Sequence, residues 1–138
     1  MKIDGPLAEV MTPHPRCVRI DQKLSDVRAA LADHRIHHLP VVDGRQLAGI
    51  ISVKDLLDFG FEPRDTHTDR DEFIDEHFSI RQIMKSDVTT IPNGGSIRDA
   101  ALALSTGELH AVPVVDDDAN LVGIVTSTDL VSYLLSSA

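Results

Sequence analysis

A chain of 138 residues, 42% of them hydrophobic, is long enough to bury one substantial core and short enough to form one module over 1–138. A formal net charge of −9 with 4% aromatics excludes the basic stripe or stacking rings of a nucleic-acid surface, and a single cysteine, Cys17, excludes a disulfide scaffold. The first ten residues carry Lys2, Asp4 and Glu9, and no stretch approaches the roughly 18 apolar residues of a membrane span, so a cytoplasmic protein with no membrane contact is expected.

In chain order, a short strand is expected around Val18, then a helix over 24–34, whose apolar residues Leu24, Val27 and Leu31 share one face. The apolar run Leu39 to Val42 ends at Asp43-Gly44, which is turn chemistry, and pairs as a hairpin with the return strand Leu47 to Ile51. Ser52 is a good N-cap for a helix over 53–59. The unit is β-α-β-β-α.

Between Glu62 and Ser79 lie seven acidic residues and two arginines, Arg64 and Arg70. This stretch, bounded as 61–78, reads as a solvated acidic linker with at most one helical turn near Phe73-Ile74; its carboxylates lack the closed spacing of a cation loop.

The same order then returns. A strand at Ile91, a helix over 97–106 with Ile97, Ala100 and Leu104 on one face, strands Val112 to Val115 and Leu121 to Val125, and a helix over 127–135 capped by Thr126 complete a second unit. Val10 to Asp43 align with Ile83 to Asp116 without a gap, and Leu47 to Leu57 align with Leu121 to Val131 after a one-residue slip in a turn. Met11 matches Met84, Asp26 matches Asp99, His37 matches His110, Gly49-Ile50 match Gly123-Ile124, and Asp55-Leu56 match Asp129-Leu130. Ordered identity over such a length marks an internal duplication, with repeats at 7–60 and 79–136.

These residues resemble the paired CBS motif, or Bateman module. The resemblance rests on Met11-Thr12-Pro13, on "HHLPVVD" and "HAVPVVD", and on "GIISVKD" and "GIVTSTD", and it covers all but the linker and the termini. It implies an α/β (α+β) fold of two β-α-β-β-α repeats packed sheet to sheet with pseudo-two-fold symmetry, with two equivalent clefts. It further implies adenosine-containing ligands there, such as AMP, ADP, ATP or S-adenosylmethionine, and pairing into a homodimer.

Ser52-x-x-Asp55 and Thr126-x-x-Asp129 sit where a strand meets a helix N-terminus, a place with unpaired N–H groups and the positive end of the helix dipole for phosphate. Asp55 or Asp129 could accept from both ribose hydroxyls. The same spacing is also a capping box that stabilises a helix start by about 1 kcal/mol with no ligand at all. By the resemblance, the cleft of Ser52 and Asp55 is completed by Asp87, Thr90, Ile91, Pro92 and His110. That of Thr126 and Asp129 is completed by His14, Cys17, Val18, Arg19, His37 and His38. Ribose is expected on Asp129 and Asp55. Phosphate is expected near Thr126, Ser52, His37, His38, His110 and Arg19, and adenine near His14, Cys17, Val18, Thr90 and Ile91. The second cleft has one permanent cation and three imidazoles, so it is expected to fill first.

No paired carboxylates, triad or P-loop appears; Gly94-Gly95 lacks the Lys-Ser/Thr that would follow, and the pairing of Cys17 with His14 has nothing to orient the base. His34, His37 and His38 lack further ligands for a metal cluster. With three residues after Leu135, no catalytic or transport domain is expected on the chain. A non-catalytic sensor that needs no cofactor and acts through a separate effector protein is the expectation, with a ligand-free dimerisation or docking module as the alternative.

Overall fold

A computed structural model describes residues 3–61 and 69–137, leaving the linker stretch 62–68 outside the described residues. A 3-10 turn (Leu7–Glu9) and β1 (Thr12–Pro13) open the chain. The first repeat continues as β2 (Val18–Arg19), α1 (Leu24–Leu31), β3 (His38–Asp43), β4 (Gln46–Ser52) and α2 (Val53–Asp58). After α3 (Asp69–His77) and α4 (Ile80–Ile83), the second repeat runs β5 (Ile91–Pro92), α5 (Ile97–Leu104), β6 (Ala111–Val115), β7 (Leu121–Thr126) and α6 (Ser127–Ser137). It is an α/β fold with two sheets.

Both long repeat helices end earlier than their apolar periodicity suggests. Past Leu31 the chain turns, with the Asp33 carbonyl accepting from Ile36 and the Asp33 side chain accepting from the Arg35 N–H. Past Leu104, Gly107 adopts a φ of +78° and donates to the Leu104 carbonyl, a left-handed stop that glycine reaches without a Cβ penalty.

The chain divides into two compact units: one spans Arg16–Asp87, and the other joins the residues up to Pro15 to those from Val88 onward. In the first, β3 pairs parallel with β2 and antiparallel with β4. In the second, β6 lies between β5, parallel, and β7, antiparallel, and β1 adds to the far side of β7 through Thr12↔Ile124 and Pro13↔Gly123. The first unit has a shorter counterpart of that addition, where Lys85 and Ile50 exchange two backbone hydrogen bonds of 2.9 Å.

Each sheet is therefore finished by an arm from the opposite repeat. Leu7 and Val10, from the start of repeat one, are buried among Ile91, Ile97, Ala100, Val112 and Val125 of repeat two. Ile80 and Ile83, from the start of repeat two, are buried among Val18, Leu24, Val27, Leu39 and Ile51 of repeat one. The arm lies close on the strand beside it because that strand carries glycine. A Cβ on Gly123 would lie 2.7 Å from Met11 Sδ, and one on Gly49 would lie 2.7 Å from Met84 Sδ and 2.6 Å from the Lys85 carbonyl oxygen. This explains why methionine and glycine recur together in both repeats.

The expectation of a solvated linker is corrected by α3, nine residues long, which has a reason to be ordered. Asp75 accepts from the Ser25 N–H at 2.9 Å and its hydroxyl at 2.5 Å, and Asp71 takes the Arg28 guanidinium through Nε at 2.7 Å and through Nη2. Ile74 is buried against the α1 core and Phe78 packs on it, meeting Phe61 edge to face at 5.2 Å between centroids. Two of the linker's acids thus clamp α1 instead of facing water.

The exchange of arms predicts that Leu7→Ala, a change in repeat one, opens a cavity in the core of repeat two and costs about 2–5 kcal/mol in denaturant unfolding. It also ranks the two glycines. Gly49→Ala drives a methyl into the fixed Lys85 carbonyl and should lower Tm by more than Gly123→Ala, whose nearest neighbour is a flexible thioether.

Candidate functional site

Both Ser/Thr-x-x-Asp sequences fold as reciprocal capping boxes. Ser52 Oγ accepts from the Asp55 N–H at 3.2 Å while Asp55 Oδ2 accepts from the Ser52 N–H at 2.9 Å. At the second site Thr126 Oγ1 accepts from the Asp129 N–H at 3.0 Å and Asp129 Oδ2 accepts from the Thr126 N–H at 2.8 Å. Ser79 with Gln82 and Ser96 with Asp99 build the same device at helices that no site reading involves. Capping by itself therefore carries no ligand.

The expectation of several unpaired N–H groups at these helix starts is corrected as well. The first N–H of α2, from Val53, donates to the His37 carbonyl at 3.2 Å, and that of α6, from Ser127, donates to the His110 carbonyl at 3.1 Å. The third is taken by the capping hydroxyl. Without a partner among the described residues in the first turn are the N–H of Lys54 in one and of Thr128 in the other, reinforced by the helix dipole. The six residues of α2 give a smaller dipole than the eleven of α6.

The carboxylates differ more than their caps do. Asp55 is the only charged or polar side chain buried among the described residues, at 7% exposure, and its Oδ1 lies 3.6 Å from the Lys85 ammonium. Asp129 is half-buried, and its Oδ1 has no hydrogen-bond or ion-pair partner among the described residues. The repeat alignment puts Thr12 opposite Lys85, so the arm that reaches β7 has a hydroxyl where the arm that reaches β4 has a cation.

The remaining expected residues divide as follows. His14 shares a compact unit with Thr126, Asp129 and His110; it is exposed, has a φ of +48°, and donates its N–H to the Val122 carbonyl at 3.3 Å at the end of β1. Asp87, exposed, shares a unit with Ser52, Asp55 and His37. Cys17, Arg19, His37, Thr90, Pro92 and His110 are exposed and His38 is half-buried, whereas Val18 and Ile91 are each 4% exposed and belong to the cores of their own units. Arg19 reaches Asp21 at 3.4 Å. Sequence reasoning missed Lys85. Its signal was present as the one position in the aligned Met-x openings where a cation replaces a hydroxyl.

Residues 7–62 and 80–136 each match the CBS domain. The chain belongs to the CBS domain family. Its CBS pair is 30% identical over 117 residues to the uncharacterized protein MJ1225 of Methanocaldococcus jannaschii, covering 81% of this chain and 41% of that protein. The crystal structure of MJ1225 superposes with a TM-score of 0.79 at 27% identity, covering 97% of this chain and 49% of that one. The CBS domain pair of protein MJ0100, solved with 5′-methylthioadenosine and S-adenosyl-L-methionine, superposes at 0.76 with 25% identity, covering 96% and 98%. CBSX2, solved with AMP, superposes at 0.79 with 24% identity over 96% and 97% of the two chains, a likeness of fold. The chain spans about two fifths of the length of the curated relatives it matches first. No helix among the described residues is long and apolar enough to cross a membrane.

The capping boxes predict that Ser52→Ala and Thr126→Ala each cost about 1 kcal/mol of stability with no ligand present. Urea unfolding of the two variants in ligand-free buffer checks it.

Proposed function

We propose that this CBS pair is a non-catalytic regulatory module that binds an adenosine-containing ligand, AMP, ADP, ATP or S-adenosylmethionine, with the ribose on Asp129 first and on Asp55 second. The observation that carries the reading is the Oδ1 of Asp129 at the start of α6, which like the Thr128 N–H beside it has no partner among the described residues, in a chain whose structural neighbour MJ0100 is a CBS pair bound to two adenosine compounds. A carboxylate oxygen that is not used for capping can accept from a ribose diol, and the Thr128 N–H can meet an anion. Around this would gather Thr126, His14, Cys17, Val18, Arg19, His37 and His38, and around Asp55 the residues Ser52, Asp87, Thr90, Ile91, Pro92 and His110. Ligand binding changes function only if the ligand prefers one conformation of the chain or one partner, here a separate effector protein.

A homodimer completes the reading. The helix α6 has no buried residue, and Val131, Leu134 and Leu135 on it, with Leu102 on α5, are exposed. Apolar helix faces of this kind are commonly covered by a second subunit. Light scattering of the wild type should give twice the chain mass, and Leu135→Glu should shift it toward the monomer.

The ligand is tested with a thermal-shift panel of AMP, ADP, ATP and S-adenosylmethionine. A true ligand at a hundred times its Kd adds about 2.7 kcal/mol of stability. Asp129→Asn keeps an oxygen for the cap and removes the carboxylate, so it should abolish the shift at ligand concentrations where Asp55→Asn leaves it. The reverse order overturns the assignment, and no shift with any of the four leaves the ligand-free docking module.

A further inference from the structure

We infer that Lys85 is a specificity-determining residue that sets the two ribose half-sites apart: it occupies the Asp55 carboxylate and makes that half-site disfavour an uncharged nucleoside. The inference rests on the ligand reading above and deepens it.

Both oxygens of Asp55 have a partner, one by a hydrogen bond and one by an ion pair. Oδ2 is held by the Ser52 N–H and Oδ1 lies 3.6 Å from Lys85 Nζ, while the carboxylate itself is buried. A ribose diol that comes to Asp55 competes with the ammonium for Oδ1, and where it displaces it the carboxylate exchanges a cation for two neutral donors. At Asp129 the same approach displaces no cation of the described residues, and the position aligned with Lys85 is Thr12. The lysine is placed by backbone and not by chance contact: its N–H and carbonyl are both bonded to Ile50, two residues before the capping serine, and Met84 beside it is seated over Gly49. Its side chain is 66% exposed, so the pair is partly screened by water and salt, and its effect is a modest one. A ligand that brings its own anion gives the displaced ammonium a new partner and escapes the penalty; a neutral nucleoside does not.

The test is calorimetric titration of the full chain with adenosine and with AMP. Wild type should bind adenosine at one tight site, lost in Asp129→Asn, and at a second, weaker one. Lys85→Thr, which copies the arm of repeat one, should tighten the second site for adenosine by about fivefold, the scale of a partly exposed ion pair, and leave the first unchanged. Lys85→Arg should keep the wild-type pattern. AMP should discriminate less between wild type and Lys85→Thr than adenosine does. Raising salt from low to physiological strength should tighten adenosine at the second site in wild type and not in Lys85→Thr. Two equal sites in the wild type, or a second site that Lys85→Thr does not change, overturns the role of Lys85 and leaves the binding function standing. An absence of any binding in all forms overturns both. Circular dichroism of each variant confirms that the fold is retained.

Discussion

The close approach of a methionine-bearing arm to a glycine in the neighbouring strand is the contact on which the rest depends. Gly49 and Gly123 leave space that any side chain would fill, and through that space Met84 and Met11 bring a strand segment to the sheet edge. With the arm in place its apolar residues, Ile80 and Ile83 in one unit and Leu7 and Val10 in the other, close the core. The glycine also sits three residues before the capping Ser52 or Thr126, so the same edge that receives the arm leads straight into the helix start that carries the candidate ligand groups. Packing and site are thus one arrangement.

Much of this was legible in the sequence because the duplication is preserved where packing is tightest. Leu24, Val27, Leu31, Leu39 and Val41 face one core, and their counterparts Ile97, Ala100, Leu104, Val112 and Val114 face the other. The exchange of arms was not legible: periodicity reports which face of an element is apolar and says nothing about which repeat will cover it. Leu7 and Ile80 lie three residues before the aligned Val10 and Ile83 and are both apolar, yet nothing local says that each serves the other copy. The order in α3 was hidden for a different reason. Its composition is that of a solvated segment, and only the tertiary partners Arg28 and Ser25 give Asp71 and Asp75 something to bind.

At the candidate site the sequence pattern had two physical meanings, and the structure realises one of them in full. Both boxes cap their helices, and most of the N–H groups that a bare helix end would offer to an anion are already bonded, to a histidine carbonyl and to the capping hydroxyl. What separates a cap from a binding group is the oxygen left over, and that differs between the repeats because of a residue outside the motif, on an arm about thirty positions away in one repeat and over a hundred in the other. Duplication copied the motif and left its electrical surroundings free to diverge.

The crossed arms also bear on what the covalent link between the repeats does. Divided between its repeats, it yields two pieces, each holding the arm that the other lacks: one would carry Leu7, Val10 and Met11 with an unfinished β4 edge, the other Ile80, Ile83 and Met84 with an unfinished β7 edge. Neither is a smaller version of the whole. A fragment cut between the repeats would keep an arm without the sheet it covers here and a sheet without its arm, so that the covalent link supplies to each half the edge that the other half closes.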